Sequence, residues 1–233
     1  MSESKFTSKF IVIEGLIGVG KTTLCKILQR ERDAQLILEP AEDNPFLASF
    51  YADPKRFAFP AQMFYLHSRT LQQNKLLQPS LFKHLFVSDY IFAKDRLFAE
   101  QTLSGEEFGL YERFSSLLAN QVAKPDFVLF LDAPTDVIMG RIQNRGISSE
   151  QSIQAEYLDE LRQRYYRLWD SYTDAPVYVF NSSNTNYAKN EDDVQHMLKL
   201  IDGWLEGNPL PGSPVPYKPN KPSDLPLFNF QPQ

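Results

Sequence analysis

The sequence has little cysteine and no long apolar run. Its 233 residues include one cysteine, Cys25, so no disulfide can form within the chain, as is usual in a reducing compartment. The N-terminal stretch MSESKFTSKF lacks the apolar core of a signal peptide, and no apolar run approaches the length of a membrane span. We therefore expect a cytoplasmic protein without a disulfide framework and without a membrane partner.

Basic charge is also scarce. The chain has 24 Lys and Arg residues against 29 Asp and Glu residues, which gives a formal net charge of −5. Non-specific binding of nucleic acid needs a basic surface, so we expect no nucleic-acid partner, although a local basic patch stays open. The length suffices for one full α/β domain with a sizeable core.

A phosphate-binding motif stands near the N-terminus. The stretch IVIEGLIGVGKTTL (11–24) contains G-x-x-x-x-G-K-[ST] directly after a strand-like run. In such a loop the backbone N–H groups surround phosphates, the lysine lies near the β- and γ-phosphates, and the Thr hydroxyl binds magnesium. The helix that follows adds its positive N-terminal end. The predicted ATP-binding residues are Gly15, Gly18, Gly20, Lys21, Thr22 and Thr23.

Apolar strand-like runs alternate with helical patterns along the chain. Strands are predicted at 10–14, 35–40, 84–89, 126–133 and 177–181. Helices are predicted at 21–32, 60–78, 106–122, 134–144, 155–172 and 192–205, with Pro60 in the first turn of the second helix. Continuously apolar strands that alternate with helices predict an α/β fold, with a five-stranded parallel sheet covered by helices on both faces.

The C-terminal segment has a different composition. Residues 207–233 carry eight of the sixteen prolines, so we divide the chain into a globular domain at 1–206 and a proline-rich extended tail at 207–233. The tail matches PxxP motifs, which bind SH3-type partners. We favour a tail that lies on its own domain, anchored by Leu227, Phe228 and Phe230.

Acidic residues follow three of the predicted strands. Glu39, Asp89 and Asp132 stand at strand ends, and ligands of parallel sheets bind at the carboxyl ends of the strands. Phosphoryl transfer needs one carboxylate for the attacking hydroxyl and another for magnesium. A single acid at a strand end is more often a helix cap or a solvated loop residue, whereas three of them in one P-loop sheet favour a catalytic role. Strand order alone does not choose between Asp89 and Asp132.

The motifs after the P-loop favour a small kinase. A GTPase needs N-K-x-D after a strand, whereas NKPSD (220–224) has the wrong spacing and lies in the tail. A kinase needs a lid that carries arginines, and GRIQNRG supplies Arg141 and Arg145 on one helical face, which predicts a lid near 141–151. The alternative is a solvated basic patch at a helix C-terminus.

In their order, the motifs resemble the deoxynucleoside kinase family over roughly residues 8–205. The resemblance rests on the P-loop, LEP after the second strand, FAFPAQMFYLHSR (57–69), SDYIFAKDR (88–96) and RIQNRGISSEQ (141–151). It implies transfer of a phosphoryl group from ATP, with Mg²⁺, to the 5′-hydroxyl of a deoxynucleoside. Glu39 would be the base toward that hydroxyl, Arg141 and Arg145 would be catalytic lid residues, and Asp89 would lie near magnesium with Thr22.

The resemblance also implies a nucleoside site. Gln62 would pair with the base beside an Arg69–Asp95 pair, and Tyr51 and Glu150 would hold the 3′-hydroxyl. An arginine donor and a carboxylate suit a purine edge and fill the space of a thymine methyl. We therefore predict deoxyadenosine or deoxyguanosine as the best substrate, deoxycytidine next and thymidine poor.

Two positions depart from the family pattern. Tyr90 stands where the family has an arginine that orients the 5′ oxygen, and Lys94 is the candidate replacement. Ile147 stands where the lid often has a third basic residue.

Three questions stay open at this point. A thymidylate kinase shares the P-loop, sheet and lid, but its phosphorylated acceptor needs basic neighbours, whereas EPAEDNPF (39–46) is acidic. A non-catalytic P-loop module that binds partners through the tail is disfavoured by the full catalytic set. The helices at 60–78 and 106–122 would form a homodimer interface, as in the family, or are simply core.

Overall fold

The structure of the chain is a computed structural model that describes residues 8–39, 43–76, 84–118, 122–147, 150, 151 and 153–219. The described residues form five strands and eight helices. These are β1 (Lys9–Gly15), α1 (Lys21–Arg32), β2 (Gln35–Ile37), α2 (Leu47–Ala52), α3 (Pro54–Leu76), β3 (Leu85–Ser88), α4 (Lys94–Thr102), α5 (Gly105–Leu118), β4 (Phe127–Asp132), α6 (Thr135–Arg145), α7 (Ala155–Ser171), β5 (Val177–Asn181) and α8 (Glu191–Leu205).

The strands form one parallel sheet in the order β2-β3-β1-β4-β5. Phe10 of β1 lies opposite Phe86 of β3, and Leu129 of β4 lies opposite Tyr178 of β5. Every residue of β3 and β4 is buried, which explains why these strands read as continuous apolar runs. The predicted α/β fold with a five-stranded parallel sheet is confirmed.

Two compact units divide the described residues, one comprising 8–13 and 25–126, the other 14–24 and 127–219. In the first unit, α3, α4 and α5 pack around Leu66, Ala99 and Tyr111. In the second unit, the Phe130 ring of β4 lies 5.1 Å from the Tyr165 ring and 5.5 Å from the Trp169 ring of α7. Each such aromatic pair stabilises a core by about 0.5–1.5 kcal/mol beyond its buried area.

The long helix α3 begins earlier than predicted. It starts at Pro54, and Pro60 lies inside it rather than in its first turn. The Arg56 N–H contacts the Asp53 side chain at 3.4 Å, and proline is well suited to the first helical position, so Asp53-Pro54 was the start signal that the sequence offered. The helix tolerates Pro60 at the cost of one backbone hydrogen bond. The short helices α2 and α4 were not predicted.

The described part of the tail contacts the second unit. The Tyr217 N–H donates to the Val177 carbonyl oxygen at 2.6 Å, and the Tyr217 hydroxyl donates to Asp170 at 2.9 Å. Pro216 forms an antiparallel bridge with Tyr178 at the open side of β5. These contacts agree with a tail that lies on its own domain, whereas Leu227, Phe228 and Phe230 fall outside the described residues. The domain division at residue 206 stays a prediction.

Within the described ranges, no helix combines the length and the hydropathy needed to cross a bilayer.

Candidate active site

The P-loop backbone adopts conformations that require glycine. Gly15 has φ +147°, and a Cβ there would lie 2.3 Å from the Leu131 carbonyl oxygen. Gly18 has φ +80°, and a Cβ there would lie 2.6 Å from the Ile142 side chain. Side chains at either position would therefore strain the backbone and displace β4 or α6. Gly20 also has a positive φ, of +113°.

Lys21 begins α1 and folds back over the loop. Its ammonium group donates to the Gly15 carbonyl oxygen at 2.8 Å and to the Leu16 carbonyl oxygen at 3.0 Å. Thr22 and Thr23 follow in the first turn of α1, which contains no acidic residue. The positive end of the helix dipole is therefore not neutralised locally, as an anion site requires.

A buried cluster of charges lies in the first unit. Arg69 on α3 donates through Nη2 to Glu39, which follows β2, and through Nη1 to Asp95 on α4. Lys94 Nζ lies 3.1 Å from Glu39 Oε2. Arg69, Lys94 and Asp95 are buried and Glu39 is 24% exposed, so the four charged groups satisfy one another largely away from water.

The cluster sets the ionisation of its carboxylates. Burial acts to raise the pKa of Glu39, but the Lys94 and Arg69 charges outweigh it and lower the pKa to about 2. Burial raises the pKa of Asp95, although Arg69 and the hydrogen bond from the Tyr111 hydroxyl at 2.8 Å oppose the rise. Glu39 is therefore a carboxylate across the whole neutral range.

Asp89 and Tyr90 follow β3 beside this cluster. Asp89 Oδ1 accepts the Glu39 backbone N–H at 2.8 Å, which ties the end of β3 to the end of β2. The Tyr90 hydroxyl donates to Gln72 at 2.6 Å, and the Arg69 guanidinium lies 5.4 Å from the centre of the Tyr90 ring. The tyrosine thus gives Arg69 an aromatic face.

Gln62 lies on α3 and is 6% exposed. Its Nε2 donates to Thr102 Oγ1 at 3.2 Å, while its Oε1 is buried without a hydrogen-bond partner. Tyr51 lies in α2, but its side chain is outside what the structure describes. A buried acceptor without a partner is rare, and it marks a place where a ligand would complete the hydrogen bonding.

The lid arginines lie at different depths. Arg141 donates to the backbone carbonyl oxygens of Val19 in the P-loop at 3.1 Å and of Ser182 at 2.6 Å, and burial lowers its pKa. Arg145 ends α6, is 53% exposed and lies 3.4 Å from Glu150 Oε1. Glu150 Oε2 is buried without a hydrogen-bond partner. Residues 148 and 149 of the predicted lid lie outside the described residues.

Comparison with known proteins identifies the family of the chain. The deoxynucleoside kinase family model matches residues 11–205. The chain belongs to the deoxynucleoside kinase family. It is a phosphotransferase that acts on deoxynucleosides, as the resemblance implied, and the thymidylate kinase alternative is not favoured.

Several relatives of this deoxynucleoside kinase are named for the nucleoside on which they act. The chain is 32% identical to the deoxyguanosine kinase of Bacillus subtilis over 84% of this chain and 99% of the relative. It is 32% identical to the deoxyadenosine kinase of Dictyostelium discoideum over 67% of this chain and 64% of the relative. A solved structure of deoxyadenosine kinase from M. mycoides matches with a TM-score of 0.69 at 22% identity, covering 83% of this chain and 98% of that chain, and shares the fold.

Asp132 at the end of β4 is held by hydrogen bonds from α7. Sequence reasoning had left this residue open as a metal ligand. Its Oδ1 accepts from Arg162 at 3.0 Å, and its Oδ2 accepts from the Tyr166 hydroxyl at 2.9 Å. Arg162 also donates to the Ala133 carbonyl oxygen at 2.6 Å. The carboxylate therefore links β4 to α7, and no spacing signal in the sequence separates this role from that of Asp89.

Sequence reasoning missed two side chains that contact predicted site residues. Thr102 contacts Gln62, and Tyr111 contacts Asp95. Both contacts join residues 16 or more positions apart on different helices, so only the packing of α3, α4 and α5 brings them together.

Proposed function

We propose that the chain transfers the γ-phosphoryl group of ATP to the 5′-hydroxyl of a purine deoxynucleoside, with deoxycytidine as the next substrate. The observation that carries the proposal is Glu39, held as a carboxylate by Lys94 and Arg69 at the end of β2. Relatives that phosphorylate deoxyguanosine and deoxyadenosine support the purine preference.

Glu39 acts on the acceptor. A carboxylate accepts a hydrogen bond from the 5′-hydroxyl and aims its oxygen at the phosphorus. With a pKa of about 2 it is a weak base, which suits a loose transition state in which the hydroxyl proton leaves late. Positioning is then the larger part of its contribution. Lys94 lies next to Glu39 and donates to the 5′ oxygen of the nucleoside. It takes the part of the arginine that the resemblance leads one to expect at position 90, where this chain has Tyr90.

The P-loop holds the donor. Its backbone N–H groups and the Lys21 ammonium bind the β- and γ-phosphates once the lysine leaves the Gly15 and Leu16 carbonyl oxygens. Thr22 and Asp89 offer the hard oxygen ligands that Mg²⁺ prefers. Within the described ranges no group of three or more His, Cys, Asp or Glu side chains is placed to hold a metal ion. Mg²⁺ held there would supply positive charge to the phosphates.

The lid supplies positive charge. Arg145 is exposed and joined to Glu150 by a contact of 3.4 Å, so its guanidinium is able to move to the transferring phosphoryl group. Arg141 holds the P-loop backbone through Val19 and reaches phosphate from there. Glu150, together with Tyr51, binds the 3′-hydroxyl of the sugar.

The test is a panel of deoxynucleosides with wild type and Glu39→Gln. This substitution keeps the shape and removes the charge, so kcat should fall on the order of 100-fold or more while ATP binding persists. Glu100→Gln, an exposed glutamate paired with Arg96 on α4, is the matched control and should keep full activity. Near-normal turnover of Glu39→Gln would refute the role of Glu39.

We also propose that the kinase is a cytoplasmic homodimer that pairs through α5. Leu110, Phe114 and Leu117 form a stripe on α5 and are 44%, 42% and 74% exposed. An apolar stripe at this spacing suits a symmetric helix interface. Leu117→Lys should halve the mass measured by light scattering, whereas Val215→Lys in the tail should leave it unchanged. A monomeric wild type contradicts the proposal.

A further inference from the structure

The amide of Gln62 has one bound edge and one unsatisfied atom. Nε2 donates to Thr102 Oγ1 at 3.2 Å, and Oε1 is buried without a hydrogen-bond partner. The residue is 6% exposed, so water does not readily supply the missing donor. A ligand N–H would complete this acceptor.

Thr102 fixes which way the amide points. Its hydroxyl carries one hydrogen, which it donates to the Phe98 carbonyl oxygen at 2.7 Å one turn earlier in α4. Toward Gln62 the hydroxyl therefore acts only as an acceptor. If the amide flipped, Gln62 Oε1 would face Thr102 Oγ1, and neither oxygen would have a hydrogen to donate. The amide is therefore held in one orientation, with Oε1 and the second N–H of Nε2 in fixed positions.

A fixed orientation of the Gln62 amide matters because nucleobases present two patterns of hydrogen-bond donors and acceptors. Adenine and cytosine present an exocyclic N–H donor beside a ring-nitrogen acceptor, whereas guanine and thymine present an exocyclic oxygen acceptor beside a ring N–H donor. An amide that flips freely pairs with both patterns. An amide that is held in one orientation pairs with only one of them for a given pose of the base.

We propose that Thr102 is a specificity-determining positioning residue, which holds the Gln62 amide so that the enzyme discriminates between amino and keto bases. The inference rests on the proposed function, in which Gln62 pairs with the base. Thr102 acts through Gln62 and does not itself touch the substrate. Removing its hydroxyl frees the amide to take either orientation.

The experiment compares deoxyadenosine with deoxyguanosine, which match in size and differ in pattern. Wild type should favour one of them by roughly tenfold or more in kcat/KM, as expected for a bidentate pair. Thr102→Val should bring the ratio within about threefold of one, mainly by raising the disfavoured purine, and Thr102→Ser should restore the wild-type ratio. Thr102→Ala carries the same expectation as Thr102→Val and serves if the valine variant does not fold.

Thr70 provides a matched control. It is a buried threonine on α3 whose hydroxyl also donates one turn back, to the Leu66 carbonyl oxygen at 2.7 Å. Thr70→Val should leave the purine ratio unchanged. The inference is overturned if Thr102→Val lowers kcat/KM equally for both purines or leaves their ratio unchanged. It is also overturned if wild type uses both purines equally well. A wild type that phosphorylates no deoxynucleoside instead refutes the proposed function.

Discussion

Lys94 Nζ lies 3.1 Å from Glu39 Oε2, although 55 residues separate the two in the sequence. Glu39 accepts from Arg69 on its other oxygen, so each carboxylate oxygen faces a cation. The resemblance leads one to expect an arginine where this chain has Tyr90, and Lys94 brings a positive charge to Glu39 from the first turn of α4. The chain thereby keeps two cations at Glu39 without the arginine.

The Lys94–Glu39 pair predicts the effect of Lys94→Met. Methionine keeps an unbranched side chain of similar length and removes the charge, so kcat should fall by about 10–100-fold through loss of a donor to the 5′ oxygen. Lys9→Met is the control, because Lys9 forms a similar 2.9 Å pair with Asp126 at the start of β1. Steady-state kinetics with deoxyguanosine measure both. Equal, small effects of the two substitutions would show that Lys94 has no part in transfer.

The lowered pKa of Glu39 predicts a pH-dependent stability. Burial opposes the shift, yet Lys94 and Arg69 bring the pKa from 4.5 to about 2. A lowered folded-state pKa stabilises the fold fully above about pH 5, and this stabilisation is lost as the pH falls toward 2. Urea unfolding of wild type and Glu39→Gln should therefore differ by up to about 3 kcal/mol at pH 7, with the gap closing in acid. A gap that does not change with pH would contradict this assignment.

Spacing in the sequence predicted the parts of the fold and site that depend on local pattern. The P-loop was visible because Gly15, Gly18 and Lys21 lie in one short stretch of the sequence. The sheet was visible because its strands are mostly apolar. The structural role of Asp132 was not visible, since Arg162 reaches this β4 residue from α7, 30 positions later in the chain. The contact of Lys94 with Glu39 likewise depends on how α4 packs, which no periodicity encodes.

Arg145 should matter for the transition state more than for binding. Its guanidinium is exposed and lies 3.4 Å from Glu150, a long contact that contributes little to stability, so Arg145→Ala should leave the fold intact. We expect kcat to fall about 100-fold while the KM for the nucleoside changes by a few-fold. Arg30→Ala, at an exposed position near the end of α1, is the control. A rise confined to the nucleoside KM would assign Arg145 to the acceptor site.

Tyr217 should stabilise the second unit without affecting catalysis. Its ring lies 5.9 Å from the Tyr166 ring, and its hydroxyl donates to Asp170. Tyr217→Ala should lower the free energy of unfolding by about 1–2 kcal/mol and the Tm by several degrees, with kcat within a few-fold. Tyr217→Phe, which keeps the ring, should recover most of the loss. An unchanged Tm in Tyr217→Ala would mean that the tail does not contribute to the stability of the fold.

The last prediction concerns thymidine and the Arg69–Asp95 pair. The pair was expected to exclude the thymine methyl, so the double variant Arg69→Met, Asp95→Ala should admit thymidine. The structure adds a second effect, because Arg69 also holds Glu39 and its loss should lower kcat on every nucleoside by about 100-fold. Turnover alone would therefore hide a gain in binding.

The measurement is calorimetric titration of thymidine and deoxyguanosine into wild type and the double variant. We expect thymidine to bind at least tenfold more tightly to the variant and deoxyguanosine more weakly, since a lost charged donor costs about 1.5–3 kcal/mol. Strong thymidine binding by wild type would refute the proposed role of the pair in base choice while leaving the kinase assignment unchanged.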